Sequence, residues 1–188
     1  MAGSALLRYR DVDDGELAAK AAAGDREALE VLLGRHQDRV FDICRRICGN
    51  DADAADATQD ALVAITRGLG RFEGRSAFTT WMYRVVANAA LGEQRRKARR
   101  PVPIEEAGLE VGHDGGVDRV GDAELVDWAL QQLPPSYRTA IVLREREGLS
   151  YIEIGEVLDI PMGTVKTRIS RARLALAELG REAGLGRE

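Results

Sequence analysis

Apolar positions recur at helical spacing along almost the whole chain. Leu17, Ala18, Ala21 and Ala22 predict a short first helix from Asp14, broken at Gly24-Asp25. Ala28, Leu29, Leu32, Leu33, His36, Val40, Ile43 and Ile47 then follow a 3.6-residue period. They predict a long helix from about Arg26 to Cys48, ended by Gly49 and Asn50. A third helix is expected from Asp51, with Ala55, Thr58, Leu62, Ile65 and Leu69 as its buried stripe. Gly68 to Gly74 interrupts the pattern. Ser76 is a candidate cap for a fourth helix starting near Ala77, with Phe78, Trp81, Met82, Val85, Val86 and Ala89 on its apolar side. Pro101 and Pro103 stop it.

Residues 101–121 are poor in large apolar side chains and contain Gly108, Gly112, Gly115 and Gly116, the composition of a linker. Eight acidic residues and one Arg lie between Glu105 and Asp127, so the linker should stay extended and avoid DNA. Helical spacing returns from Asp122 to Leu133, through Leu125, Val126, Trp128 and Ala129. After Pro134-Pro135 it resumes to about Glu147.

The sharpest local pattern follows Gly148. Ser150 and Glu153 have capping-box spacing, so a helix should start at Tyr151, with Ile154 and Leu158 inward. Gly155 is small where a second helix must cross. Asp159 tolerates a left-handed turn residue, and Pro161 suits a first helical turn. Val165, Ile169, Ala172 and Leu176 then form one stripe. Thr164, Lys166, Thr167, Arg168, Ser170, Arg171 and Arg173 occupy the other faces. A helix-turn-helix with cations and hydroxyls on its second helix is a candidate DNA reader. A helical hairpin with a solvated basic face is the plainer alternative.

The resulting fold class is all-α, with two small helical domains joined by a flexible acidic linker. The boundaries are a mobile leader at 1–13, domains at 14–100 and 122–180, the linker at 101–121 and a tail at 181–188. Charge sharpens this picture by its distribution. The net value is −4, yet five of the six residues from Arg95 to Arg100 are basic, and a phosphate backbone senses local charge. Upstream lie Phe72, Phe78, Trp81 and Tyr83. Rings beside a cationic helix end suit unstacked bases, although the same rings also suit a core. Asp53, Asp56, Gln59, Asp60 and Val63 form an acidic-polar face, either solvated or a docking surface.

Cys44 and Cys48, the only two cysteines, share a helix face and read as small core residues, with a redox or metal role as the lesser alternative. His36 and His113 are isolated. No nucleophile triad, phosphate loop or metal-ligand spacing is present, so no enzyme, cofactor or metal site is expected. Neither a membrane-length apolar run nor a signal-peptide core is seen, so a cytoplasmic protein is expected.

Two motifs in order resemble a known family. DAADATQDALVAITRGLGRFEGRSAFTTWMYRVVANAAL, with the basic run behind it, looks like region 2 of the extracytoplasmic-function (ECF) sigma factors, within the sigma-70 superfamily. LPPSYRTAIVLREREGLSYIEIGEVLDIPMGTVKTRISRARLAL looks like region 4. The resemblance spans about residues 14–180. It implies an alternative sigma factor that directs core RNA polymerase to promoter DNA, without catalysis of its own. It also implies docking of Asp53, Asp56, Gln59 and Asp60 on the clamp helices of the largest polymerase subunit. By the same resemblance, Phe72 to Trp81, including Ser76, Thr79 and Thr80, with Asn88, belong to −10 opening and capture of a flipped base. Arg95, Arg96 and Lys97 then track −10 DNA, and Lys166, Thr167, Ser170 and Arg171 face the −35 element. An anti-sigma factor is a common partner in that family. Gly92 departs from the family pattern and costs about 1 kcal/mol in a helix interior relative to Ala. A LuxR-like regulator, dimeric on duplex DNA, is the alternative function; it leaves Phe72 to Arg100 unexplained.

Overall fold

The computed structural model describes residues 8–72, 74, 76–99 and 122–182. The expected linker at 101–121, with His113, therefore lies outside the described residues, as do Met1 to Leu7 of the leader and residues 183–188 of the tail. Among the described residues there are eight α-helices and no strand. They are α1 (Asp14–Ala22), α2 (Arg26–Cys48), α3 (Asp51–Gly68), α4 (Phe78–Arg99), α5 (Asp122–Gln131), α6 (Pro135–Glu145), α7 (Tyr151–Leu158) and α8 (Met162–Glu182). A 3-10 turn, Leu69–Arg71, follows α3.

Local chemistry sets most of the ends. Asp25 caps α2 by accepting from Ala28 N, and Gly49 closes it at φ +91°. Asn50 caps α3 by accepting from Asp53 N. The central helix α2 packs against α1, α3 and α4, and its buried row runs from Val31 and Leu32 through Val40 and Ile43 to Ile47. Cys44 and Cys48 lie in this core, where burial pushes the first thiol up to about 11 and the second to about 12. Such thiols stay protonated near neutral pH and are poor nucleophiles.

Four expectations need correction. The stripe of α3 is Ala54, Ala57, Ala61 and Ile65, one position from the expected register over its first turns. Ala55 is exposed, and Thr58 and Leu62 are only half-buried. Three alanines let α3 lie close to α2 and α4, and period reading underweights such small side chains. Residues 8–13 are pinned, contrary to a mobile leader. The Arg35 guanidinium donates to Tyr9 O and Val12 O, both at 2.6 Å, while buried Tyr9 donates to Asp25. The fourth helix starts later than Ser76 suggests, because Trp81 N donates to Ala77 O, placing the cap at Ala77. On α5, Val126 and Trp128 are exposed and Leu130 turns inward instead, while Leu133, just past the helix, is buried. Gly92 does not break α4, which is continuous to Arg99.

The two helical groups meet along α2 and α4. Helices α5 and α6 pack on α2, while α7 packs on α4. Arg138, only 5% exposed, donates to Ile47 O at 2.7 Å, and to Gln131 O and Leu133 O at 3.0 Å each. It thereby satisfies a carbonyl in the last turn of α2 that the helix itself leaves open. Gln131 Nε2 donates to Arg46 O, and a Cβ on Gly49 would come within 2.1 Å of the Gln131 side chain. Gly49 thus serves both the left-handed cap and this close approach. The Glu147 carboxylate accepts from Arg39 Nε at 2.6 Å and from the Tyr83 hydroxyl at 2.9 Å. Arg146 pairs with Asp42, and Arg46 with Asp127.

Candidate nucleic-acid interface

The helix-turn-helix forms as its caps require. Ser150 and Glu153 make both halves of the capping box, and Asp159 takes φ +52°. A Cβ on Gly155 would lie 3.0 Å from Ile160 O, so only a hydrogen fits comfortably where the chain reverses. Val165, Ile169 and Ala172 are buried, which turns Lys166, Thr167, Ser170 and Arg171 outward. Thr164 and Arg168 are half-buried at the flanks. Two cations are already engaged with α6. Arg171 donates to the Tyr137 hydroxyl at 3.0 Å, and Arg173 pairs with Glu145 at 2.6 Å. Leu174, 62% exposed on the same outward side, is an apolar contact that stripe reading passed over.

The expected −10 residues divide between core and surface. Phe72, Phe78 and Trp81 form one ring cluster with centroids 5.4–5.9 Å apart, and His36 adds to it at 5.5 Å from Phe78. Phe78 is buried, so it supports the cluster rather than presenting a free stacking face, whereas Phe72 and Trp81 are half-buried. Trp81 leans over Gly68, where a Cβ would meet its ring at 2.9 Å. Tyr83 faces inward to Glu147, and burial first, then that hydrogen bond, raise its pKa.

Beside the cluster is a cavity of about 620 Å³, lined by Phe72, Gly74, Ser76, Phe78 and Thr79, and also by Asp13, the cap of α1, and by Asp14 and Gly15 in its first turn. Asn88 and Thr80 do not line it, although the sequence placed them with this site. Nine residues of helix carry Asn88 roughly 14 Å from Thr79 and to the opposite side of α4. The acidic wall was not foreseen, because nothing local connects Asp13 to a turn some sixty residues later.

The acidic face of α3 is outward as expected. Asp56, Gln59, Asp60 and Val63 are exposed and Asp53 is half-buried. It is not free of the basic end of α4. Arg96 donates to Asp60 at 2.6 Å and also holds buried Glu93, while Lys97 pairs with Asp53 at 2.8 Å. Arg95 is exposed. Among the described residues, no helix is long and apolar enough to cross a membrane, and no group of His, Cys, Asp and Glu has the arrangement of a metal site.

Comparison with known proteins agrees with this geometry. The family model described as sigma-70 region 2 matches residues 32–100, and that described as sigma-70, region 4 matches residues 123–176. The chain is 34% identical over 176 residues to the RNA polymerase sigma-H factor of Pseudomonas aeruginosa, covering 87% of this chain and 91% of that protein. It is 36% identical over 168 residues to the ECF sigma factor SigW of Bacillus subtilis, covering 81% and 89%. With the ECF sigma-E factor of Escherichia coli it shares 35% identity over 178 residues, covering 87% and 92%. Among solved structures, CnrH in complex with the cytosolic domain of CnrY superposes with a TM-score of 0.66 at 30% identity, covering 88% of this chain and 96% of that one. The LuxR-like alternative is not supported: both regions match, in the sigma-factor order. The chain therefore belongs to the sigma-70 family of RNA polymerase sigma factors, in its ECF group.

Proposed function

We propose that this chain gives core RNA polymerase its promoter specificity through two separated DNA contacts and one docking face. The observation that carries the reading is their coexistence in one chain. An outward hydroxyl-and-cation face on α8 adjoins the −35 element. A ring-lined cavity before α4, with Arg95, Arg96 and Lys97 at the far end of that helix, serves the −10 element. The face of Asp53, Asp56, Gln59, Asp60 and Val63 docks on the clamp helices of the largest subunit.

Within this reading, promoter melting follows from binding. Holding an unstacked base in a protein pocket offsets a few kcal/mol of unpairing. The chain supplies no bond-making chemistry, acts in the cytoplasm where promoters are, and has an anti-sigma factor as a regulatory partner. CnrH, solved with the cytosolic domain of CnrY, supports the last point by likeness. The −35 assignment is weighted toward Lys166, Thr167 and Ser170, since base reading falls to the early turns of a recognition helix.

The deciding experiment is run-off transcription by purified core polymerase with and without the chain, with permanganate footprinting of the −10 thymines. Chain-dependent transcripts and thymine reactivity are expected. Absence of both on a library of bacterial promoters would sink the reading.

A further inference from the structure

Helix α6 holds two arginines of α8 in two different ways. Arg171 and Arg173 leave α8 two residues apart and reach opposite ends of α6, at Tyr137 in its first turn and at Glu145, its last residue. Arg173 donates to Glu145 through Nε at 3.1 Å and through Nη2 at 2.6 Å. Those two nitrogens form the side-on fork of a guanidinium, so the fork of Arg173 is spent and its charge is balanced. Arg171 donates to the Tyr137 hydroxyl at 3.0 Å through Nη1. Its Nε and Nη2 have no acceptor among the described residues, so the same fork stands open. A neutral phenol also leaves the Arg171 charge unbalanced.

Tyr137 is built for such a hold. Its ring is half-buried and packs against the core. Tyr137 N donates to Pro134 O at 2.9 Å, and the adjoining Arg138 is the buried contact with α2. A ring with two torsions, fixed in this way, is a rigid acceptor, whereas an exposed Arg without a partner samples many rotamers. Arg171 itself is exposed. It lies nine residues beyond Met162, about 14 Å into α8, where a base contact needs a long side chain.

An open guanidinium fork matches the O6 and N7 acceptors of guanine, and no other base offers two adjacent acceptors in the major groove. We propose that Tyr137 is a positioning residue that orients Arg171 to read one guanine of the −35 element, while Glu145 withholds Arg173 from the bases. This inference rests on the sigma-factor reading. It adds a residue outside the recognition helix that sets base preference, and a division of labour between two arginines of one helix.

The test binds the full chain, with core polymerase, to a duplex library randomised over the −35 element. Wild type should prefer guanine at one position by at least about fivefold, and Arg171→Ala should abolish that preference. Replacing this guanine by 7-deazaguanine, which lacks the N7 acceptor, should abolish it too. Tyr137→Phe removes only the hydroxyl, and thermal melting checks its fold. It should lower the guanine preference about threefold or more, the scale of ordering one long side chain at an interface. Its binding to the 7-deazaguanine duplex should equal that of wild type, whereas a merely structural role would lower both alike. In the Arg171→Ala background the same change should have no effect. Glu145→Gln should release Arg173, strengthening binding to all sequences and steepening the salt slope by about 1 without altering the guanine preference. Equal guanine preference in wild type and Tyr137→Phe, a Tyr137→Phe loss that persists without Arg171, or no guanine preference that depends on Arg171 would overturn the proposal and leave the sigma-factor reading intact. So would a guanine preference changed by Glu145→Gln. Absence of any sequence selection by wild type would instead remove the parent reading, and this proposal with it.

Discussion

The reading face of α8 and the paired faces of α3 and α4 bear similar charged residues in opposite states. On α8, Lys166, Thr167 and Ser170 stand outward, turned there by the burial of Val165, Ile169 and Ala172. On α3 and α4, acids and bases hold one another: Asp60 with Arg96, and Asp53 with Lys97. A helix-turn-helix is thus ready for its ligand as folded. Under the proposed function, the second pair of faces would exchange internal ion pairs for contacts with polymerase and DNA. That exchange is inexpensive, because exposed ion pairs contribute little in water.

The largest effect should come from the contact that fastens the two regions together. Arg138→Met leaves the Gln131 and Leu133 carbonyls without their donor and Ile47 O with Gln94 Nε2 alone. A loss of about 3 kcal/mol is expected, each orphaned buried group costing about 1–3 kcal/mol. Urea denaturation measures it. A stability equal to wild type would mean that the two regions do not share this contact in solution.

Next is docking. Reversing Asp56 and Asp60 to Lys should weaken binding to core polymerase at least about tenfold while the fold is kept, since both are exposed. Fluorescence titration with core polymerase reads it. The control is Arg96→Ala, which frees Asp60 but also removes the Arg96 contact to buried Glu93; with its fold checked by thermal melting, it should bind core at least as well as wild type. Weaker binding by Arg96→Ala would show that the ion pair is part of the docking geometry rather than a competitor.

A smaller effect is expected on α8. Lys166→Ala should relax preference at one or two −35 positions by roughly tenfold. Arg168→Ala should weaken all sequences alike and lower the salt slope of binding. Matching losses from the two changes, measured by anisotropy with varied −35 duplexes, would erase the contrast between a reading face and a positioning flank.

The smallest effect concerns pH. Tyr83 has a folded pKa raised by burial and by Glu147. A raised pKa gives stability that is complete below the unfolded value, about 10, and falls as pH climbs toward the folded one. Tyr83→Phe should therefore flatten the alkaline decline in stability above about pH 10, seen by thermal melts from pH 8 to 11. An unaltered decline would assign it to other groups, Cys44 and Cys48 among them.

Much of this molecule was legible from local signals. The Ser150–Glu153 box, Asp159, Pro161 and the stripe from Val165 are interactions within a few residues, so the sequence alone determined the helix-turn-helix and its outward cations. The same holds for the span of α2 between its Asp25 and Gly49 caps, and for the family resemblance carried by two ordered motifs. Tertiary structure decided what depends on partners distant in the chain. It set the α3 register, because close approach favoured Ala54, Ala57 and Ala61 over larger neighbours. It put Arg96 and Lys97 on the acids of α3, tied Arg173 to Glu145, and placed Asn88 away from the cavity. It also brought Asp13 and Thr79 to line one cavity. Periodicity specifies which side of a helix is buried. Only packing specifies which neighbour it meets, since hydrogen bonds and ion pairs between helices depend on ångström-scale placement that no local pattern encodes.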